Sequence, residues 1–470
     1  MAPAAVILIT VPAYLRLIGD VRYGVLVIVW AFLGYFGVFD LGLGRAIARH
    51  IANLGHADPA KRSEAFWTAL MLNAIFGVIG GLLIWPISQY YFAAHFQVAE
   101  PLRVEILAAI PWLAAAVPVA TISGVLNGAL QGRERFMALN ASSVFGTVSF
   151  HLLPLVVAWM HGPDLAWLVP AALLGRVITC VALFVQCHRY VPLNMVPSVR
   201  RDLVAPFFRY GGWVTVTGII GPVLTTLDRF LIGSIVGPPA VTYYSVPFSL
   251  VSQATILPNS LSSALFPRFS AVPKEECHRL MSEGLLTLSV ILTPLLVAGI
   301  LIMENFLTWW VGPGMARNSA FVGEIISLGL WFNGLAYLPY FRLQAQGRPD
   351  LVAKCHLAEL IPYLAFLVFA LNTWGVVGAA LAWSLRAAVD AMLLLWIGGV
   401  TSDDFKAYLL PILLLGIASI AVFCFPMGSF PRLAVSASAL LGSLAWTWWA
   451  SPDSVRKFVR AGYQFLPRSR

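Results

Sequence analysis

The sequence predicts an all-α integral membrane protein of about fourteen transmembrane helices, and three observations predict it. Hydrophobic residues make up 59% of the chain and charged ones only 11%, where soluble domains carry roughly 25% charged residues. Apolar runs of 18 residues or more recur along the whole length, and runs that long select helices rather than a barrel as the way to satisfy backbone hydrogen bonds in lipid. Basic residues gather in alternate connections between the runs, as they do in short cytoplasmic loops.

In order, the spans fall at about 3–19, 24–44, 65–88, 106–128, 137–160, 165–187, 209–232, 239–264, 284–307, 322–343, 351–371, 376–398, 408–426 and 431–450. Only "MHGPD" separates the fifth from the sixth and "NTWG" the eleventh from the twelfth, so merging those two hairpins would lower the number to twelve. With the N-terminus inside, 22 of the 30 Lys and Arg residues lie in cytoplasmic segments, against four outside and four within spans. Both termini are therefore expected in the cytoplasm. The net charge of +9 reads as topology and contact with anionic membrane lipid, and nothing resembles a basic, aromatic-interleaved groove for nucleic acid.

The five cysteines lie within spans, at their ends or on the cytoplasmic side and imply no disulfide framework. Residues 1–15 lack the basic region of a signal peptide. The first span is short and begins almost at Met1, which suggests a truncated start.

Two landmarks repeat with nearly one period. The tripeptide QGR occurs at Gln131–Arg133 and Gln346–Arg348, 215 residues apart, and LIG at 17–19 and 231–233, an offset of 214. Six spans fit that period, so the expected architecture is two parallel six-helix lobes related about the membrane normal. The first lobe is expected over 1–188 and the second over 205–399, joined by a cytoplasmic linker at 189–204. A C-terminal hairpin and basic tail occupy 400–470 and are expected on the periphery. Such paired lobes are an architecture of alternating-access transporters. No loop is large enough for a catalytic domain, which argues against an enzyme.

The stretches "YLRLIGDVRYG", "FGVFDLGLGRAIARHIA", "GVLNGALQGRERFMALNAS", "DRFLIGSIVGPPAVTYYSVPFSL" and "ILPNSLSSALFPRFS" resemble the polysaccharide-type flippases of the multidrug/oligosaccharidyl-lipid/polysaccharide exporter superfamily. The likeness spans most of residues 10–400. It departs from the family at the N-terminus, which lacks the usual cytoplasmic lead-in. The resemblance implies translocation of a polyprenyl-diphosphate-linked oligosaccharide across the bacterial inner membrane, for O-antigen, capsule or exopolysaccharide assembly. It implies a polysaccharide polymerase and a chain-length regulator as partners, and no cofactor beyond an H⁺ or Na⁺ gradient.

A diphosphate crossing a bilayer needs cations along its path, and arginine offers a fork of donors that stays charged. Arg16, Arg176, Arg229 and Arg386 fall within spans, with Arg45 and Arg49 at the inner mouth. Each also has a plainer reading. Arg16 can snorkel to the outer interface, and Arg45 and Arg49 follow from the positive-inside pattern. Arg229 follows Asp228, and adjacent helical residues do not face each other, so these two are expected to point to different partners. Arg386 and Asp390 are four apart on one span and are expected to neutralise each other. Arg176 has no local partner. The arginines before the two LIG tripeptides, Arg16 and Arg229, are expected to line one cationic cavity.

Four acids lie at membrane depth: Asp40, Asp228, Glu359 and Asp390. Asp40 either pairs with a cavity arginine or caps a broken helix. By resemblance to lipid II flippases, in which the seventh, eleventh and twelfth spans build a cation site, Asp228, Glu359 and Asp390 are candidates for Na⁺ or H⁺ coupling. The eight histidines show no metal-ligand spacing, the acidic pair Asp403 and Asp404 reads as a solvated loop, and the sequon at Asn140 lies on the wrong side of the membrane. Competing functions are a cation-coupled drug antiporter of the same superfamily, a major-facilitator carrier, and a polyprenyl-linked polysaccharide polymerase or ligase. The antiporter would carry acids and aromatics in place of cavity arginines, the carrier would repeat its loop motif in the second half, and the polymerase would need a large outer loop.

Overall fold

The computed structural model describes residues 2–35, 39–40, 42–54, 59–191, 199–205, 207, 224, 226–400, 406–426 and 428–451. Regular structure among them is entirely helical. Contacts divide the chain into two compact units, Met1–Ser245 and Val246–Arg470. Asp403, Asp404 and most of the expected seventh span lie outside the described residues.

The first unit opens with α1, Ala2–Tyr35. Straight, its 34 residues would run about 51 Å, too far for one crossing of a core about 30 Å thick. Gly19 breaks it, with φ 76° and ψ 170°, a conformation essentially reserved for glycine. The two arms fold back on each other, bringing the rings of Tyr14 and Trp30 to 5.6 Å. These arms are the first and second spans.

Next comes a helix that hydropathy does not separate, α2, Leu43–Leu54. Leu43, Ile47 and Ile51 recur every four residues and are fully buried, while Arg45 and Arg49 point away, so α2 has the pattern of an amphipathic helix rather than a span. The crossings α3 (Pro59–Tyr90), α4 (Glu100–Gly132), α5 (Phe136–His161) and α6 (Leu165–Tyr190) follow. Further on, the helical segment 226–235 leads into α7, Pro238–Val251.

Small residues let α2 lie on α4. A Cβ on Gly128 would stand 2.0 Å from the Gly44 carbonyl oxygen, and one on Gly132 would stand 2.5 Å from that of Ala48. With Gly124 they form a stripe four residues apart, the spacing that lets helix backbones approach in membranes. The glycine of the first QGR thus serves packing. Gly128→Val must part the two backbones, and the expected cost is about 1–3 kcal/mol by analogy with overpacked cores. A lowered melting temperature of the purified protein checks this, and an unchanged one would mean α2 yields freely.

In the second unit are α8 (Ile256–Ala271), α9 (Lys274–Val311), α10 (Pro313–Ala345) and α11 (Pro349–Ile397). As one rod, the 49 residues of α11 would reach about 74 Å. Gly375 reverses it at φ 58°, ψ −136°, and a Cβ on Gly378 would meet the Ala370 carbonyl oxygen at 2.0 Å. "NTWG" is therefore a hairpin turn, and its arms are the eleventh and twelfth spans. The last helices, α12 (Leu409–Cys424) and α13 (Phe430–Ala450), pack on α9. Val290, Leu414 and Trp446 share a core there, Thr447 donates to the Val290 carbonyl at 3.0 Å, and Arg432 pairs with Glu304 at 3.3 Å.

Both QGR tripeptides stand where a long crossing turns into the next, from α4 to α5 and from α10 to α11. The LIG pair matches less closely. Gly19 is itself a reversal, whereas Gly233 lies inside the segment 226–235 and the chain turns later, at Gly237 with φ 110°.

After α6, Arg200 ties the chain back to α3. Its backbone N–H donates to Thr68 at 2.9 Å, and its guanidinium forks onto Asp202 and reaches Glu64 at 3.2 Å. The bonds from Arg200 hold the Asp202 carboxyl below the usual carboxylate range.

Candidate functional site

The α5 helix carries two opposed stripes. Phe145, Leu152, Val156 and Trp159 form one, all exposed, as suits a face turned to lipid. On the other side, Ser142, Ser143, Gly146, Thr147 and Phe150 recur at helical spacing and line a cavity of about 540 Å³. Ser123 and Asn127 of α4 and Arg176 and Thr179 of α6 complete its polar lining. Close packing shapes it: a Cβ on Gly175 would be 3.0 Å from the backbone of Ser149.

Arg176 is the cation of this cavity. It sits near the middle of α6, where a charged residue costs about 2.5–3.5 kcal/mol on insertion scales. No ion pair or hydrogen bond from a described residue compensates it, and its Nε is buried without a partner. The guanidinium instead lies 4.8 Å over the ring of Phe150, a favourable but modest contact. Nearby, the Ser142 hydroxyl and His151 Nδ1 are also buried without partners among the described residues. The site thus presents unmet hydrogen-bonding capacity at membrane depth, which an anionic, polar ligand would satisfy.

The other expected cations fall elsewhere. Arg16 is exposed and makes no hydrogen bond or ion pair among the described residues, and Arg45 and Arg49 lie on the exposed face of α2. Arg229 corrects an expectation. Its backbone N–H and Nη1 donate to Asp228 Oδ1 at 2.8 and 3.1 Å, while Tyr244 donates to Asp228 Oδ2 at 2.6 Å. The Cβ directions of neighbours diverge, but arginine is long enough to curl back along its own helix. Asp228 is fully buried.

Asp40 caps α2. Both carboxylate oxygens accept from the Gly44 N–H, at 3.2 and 3.1 Å, and Asn73 of α3 donates to the same carboxylate. Asn73 also donates to the Thr121 carbonyl of α4 at 3.1 Å, so the aspartate joins three helices. Of the two roles open to Asp40, capping matches this geometry.

A second polar cluster occupies the α11 hairpin. Arg386 does not pair along its own arm with Asp390, as the four-residue spacing predicts. Across the hairpin it faces Glu359 at 3.9 Å, while Asp390 meets His356 at 3.4 Å. The turn at Gly375 brings the arms closer than the rise along one helix does. Glu359, Arg386 and Asp390 are buried, and Glu359 and Arg386 line a cavity of about 300 Å³. Neither oxygen of Glu359 has a hydrogen-bond partner among the described residues.

Sequence reasoning misses Glu324, which is 3% exposed in α10. A span starting at residue 322 puts this acid at the membrane edge, yet α10 begins at Pro313. No group of three His, Cys, Asp or Glu able to hold a metal occurs among the described residues.

The family described as polysaccharide biosynthesis protein matches residues 3–272. A relative named "Putative O-antigen transporter", from Shigella flexneri, is 29% identical over 383 residues, which covers 81% of this chain and 91% of the relative. Among solved structures, the lipid II flippase MurJ in an inward closed conformation superposes with a TM-score of 0.76. It covers 97% of this chain and 98% of its own, at 12% identity. An inward-facing multidrug resistance MATE family transporter of the MOP superfamily gives a TM-score of 0.68, covering 86% and 94% at 16% identity. At such identities the likeness establishes the fold.

Proposed function

This chain belongs to the polysaccharide biosynthesis protein family, and from that premise we propose that it flips a polyprenyl-diphosphate-linked oligosaccharide from the inner to the outer leaflet of the bacterial inner membrane. Surface polysaccharide assembly, as O-antigen, capsule or exopolysaccharide, is the destination, and the name of the Shigella flexneri relative supports it. The observation that carries the reading is Arg176, a guanidinium at membrane depth with no counter-ion among the described residues and a polar cavity before it. A diphosphate supplies the charge that this arginine lacks, and the fork of donors suits phosphate oxygens.

Transport proceeds by alternating access of two lobes, 1–188 and 205–399, with both termini in the cytoplasm as the basic loops suggest. Cargo approaches past Arg45 and Arg49, Arg16 contributes further positive potential, and Arg229, already neutralised by Asp228, is the weakest of the arginine candidates. The α11 cluster supplies coupling: Glu359 and Asp390 set two buried carboxylates against one guanidinium, Arg386, with His356 beside Asp390, and H⁺ or Na⁺ binds to the carboxylate that Arg386 does not neutralise. Asp228 and Asp40 are weaker coupling candidates, because their carboxylates are already hydrogen-bonded. The protein is a carrier and not an enzyme, working beside a polymerase and a chain-length regulator.

Reconstitution tests this. Proteoliposomes holding the full chain are expected to move a fluorescent undecaprenyl-diphosphate oligosaccharide between leaflets, read as protection from a membrane-impermeant quencher. Movement no faster than in protein-free vesicles, with correctly inserted protein, would reject the reading.

A further inference from the structure

We infer that the α4–α5–α6 cavity is a subsite for the sugar next to the diphosphate, and that its hydroxyls let the protein distinguish glycan-bearing lipid from the bare carrier. This rests on the flippase reading above.

The direction of the hydroxyl protons carries the inference. Ser123, Thr147 and Thr179 all line the cavity, one from each helix, and each donates to the carbonyl four residues back in its own helix. The pairs are Ser123 to Val119 at 2.7 Å, Thr147 to Ser143 at 2.9 Å and Thr179 to Gly175 at 2.7 Å. A hydroxyl has one proton, and here it is spent locally. What the three side chains show the cavity is therefore lone pairs.

A row of acceptors does not suit a phosphate, which at neutral pH is mainly an acceptor itself. It suits a ligand rich in O–H and N–H donors, and a pyranose is such a ligand. Donors are present too: Arg176, the amide of Asn127 and the hydroxyls of Ser142 and Ser143, none of which has a hydrogen-bond partner among the described residues. One cavity thus holds a cation for the diphosphate and an acceptor row for the sugar attached to it. Its volume of about 540 Å³ lies within the roughly 300–1,000 Å³ range of small-ligand sites. The lipid-facing stripe of α5 lies on the opposite side of the helix, so the hydroxyl row is turned away from acyl chains.

The test uses the full chain in lipid nanodiscs and two probes, undecaprenyl diphosphate and the same lipid bearing one N-acetylhexosamine, with binding read from tryptophan fluorescence. Wild-type protein should prefer the sugar-bearing probe. Thr147→Val with Thr179→Val keeps side-chain shape but removes two acceptors, and the preference should fall about tenfold. Thr147→Ser with Thr179→Ser should restore it. Arg176→Ala should weaken both probes together and leave their ratio in place. Equal affinity of wild-type protein for the two probes, an unchanged ratio in the double valine variant, or loss of both probes by that variant would overturn the subsite. Binding of neither probe by wild-type protein would instead remove the flippase reading, and the subsite with it.

Discussion

Replacing Arg176 with alanine is expected to cut glycolipid translocation sharply while leaving the protein in the membrane at its normal amount. The two effects separate because they have different origins. Function loses a charge-assisted contact to diphosphate, worth about 1.5–3 kcal/mol, or roughly 10- to 150-fold in the population of productively bound cargo. Stability loses nothing of that kind, since the guanidinium has no ion pair or hydrogen bond among the described residues to break. Removing an uncompensated charge from membrane depth relieves part of its insertion cost, so the variant should melt no lower than wild type. Arg176→Lys keeps the charge without the fork and should retain partial transport. Surface polysaccharide in a deletion strain, together with the melting temperature of the purified protein, checks both halves. Normal polysaccharide from Arg176→Ala would detach this arginine from the cargo path, and a large loss of stability would make it a structural residue.

Replacing Arg386 with leucine is expected to have the largest effect on stability. Glu359 and Asp390 would remain buried without their guanidinium, and breaking a buried pair by removing one partner costs about 3–5 kcal/mol. The double variant Arg386→Leu/Glu359→Leu removes both members of the cross-hairpin pair and should regain most of that loss, because two apolar side chains of similar size replace a costly buried ion pair. Transport should not return with stability if the acids couple the cycle to an ion gradient. Thermal unfolding of the two variants against wild type decides this. If the single variant melts like wild type, the pair contributes nothing. If the double variant melts as low as the single one, Asp390 rather than Glu359 is the acid that Arg386 compensates.

Hydropathy and turn chemistry make the long helices, their reversals and the C-terminal hairpin legible in the amino-acid sequence. "NTWG" marks a turn within a single 49-residue element, and LIG ends at the glycine that reverses α1. The amphipathic α2 is legible too, in the four-residue spacing of Leu43, Ile47 and Ile51, but its signal is weak beside the strongly apolar neighbours. Gly124, Gly128 and Gly132 likewise show a close-packing spacing without naming what packs there.

The amino-acid sequence by itself determined which segments enter the membrane, because transfer from water to lipid is nearly additive along a helix and is set by composition over about 20 residues. The tertiary structure alone decided which side chains meet. Arg386 found Glu359 across a hairpin instead of Asp390 along its own arm, Arg229 curled back to Asp228, and Arg176 was left facing a cavity built from three helices. The reason is that partner choice depends on the rotation of each helix about its axis and on how closely glycines let neighbours approach. Those are properties of packed pairs, and no single span contains them.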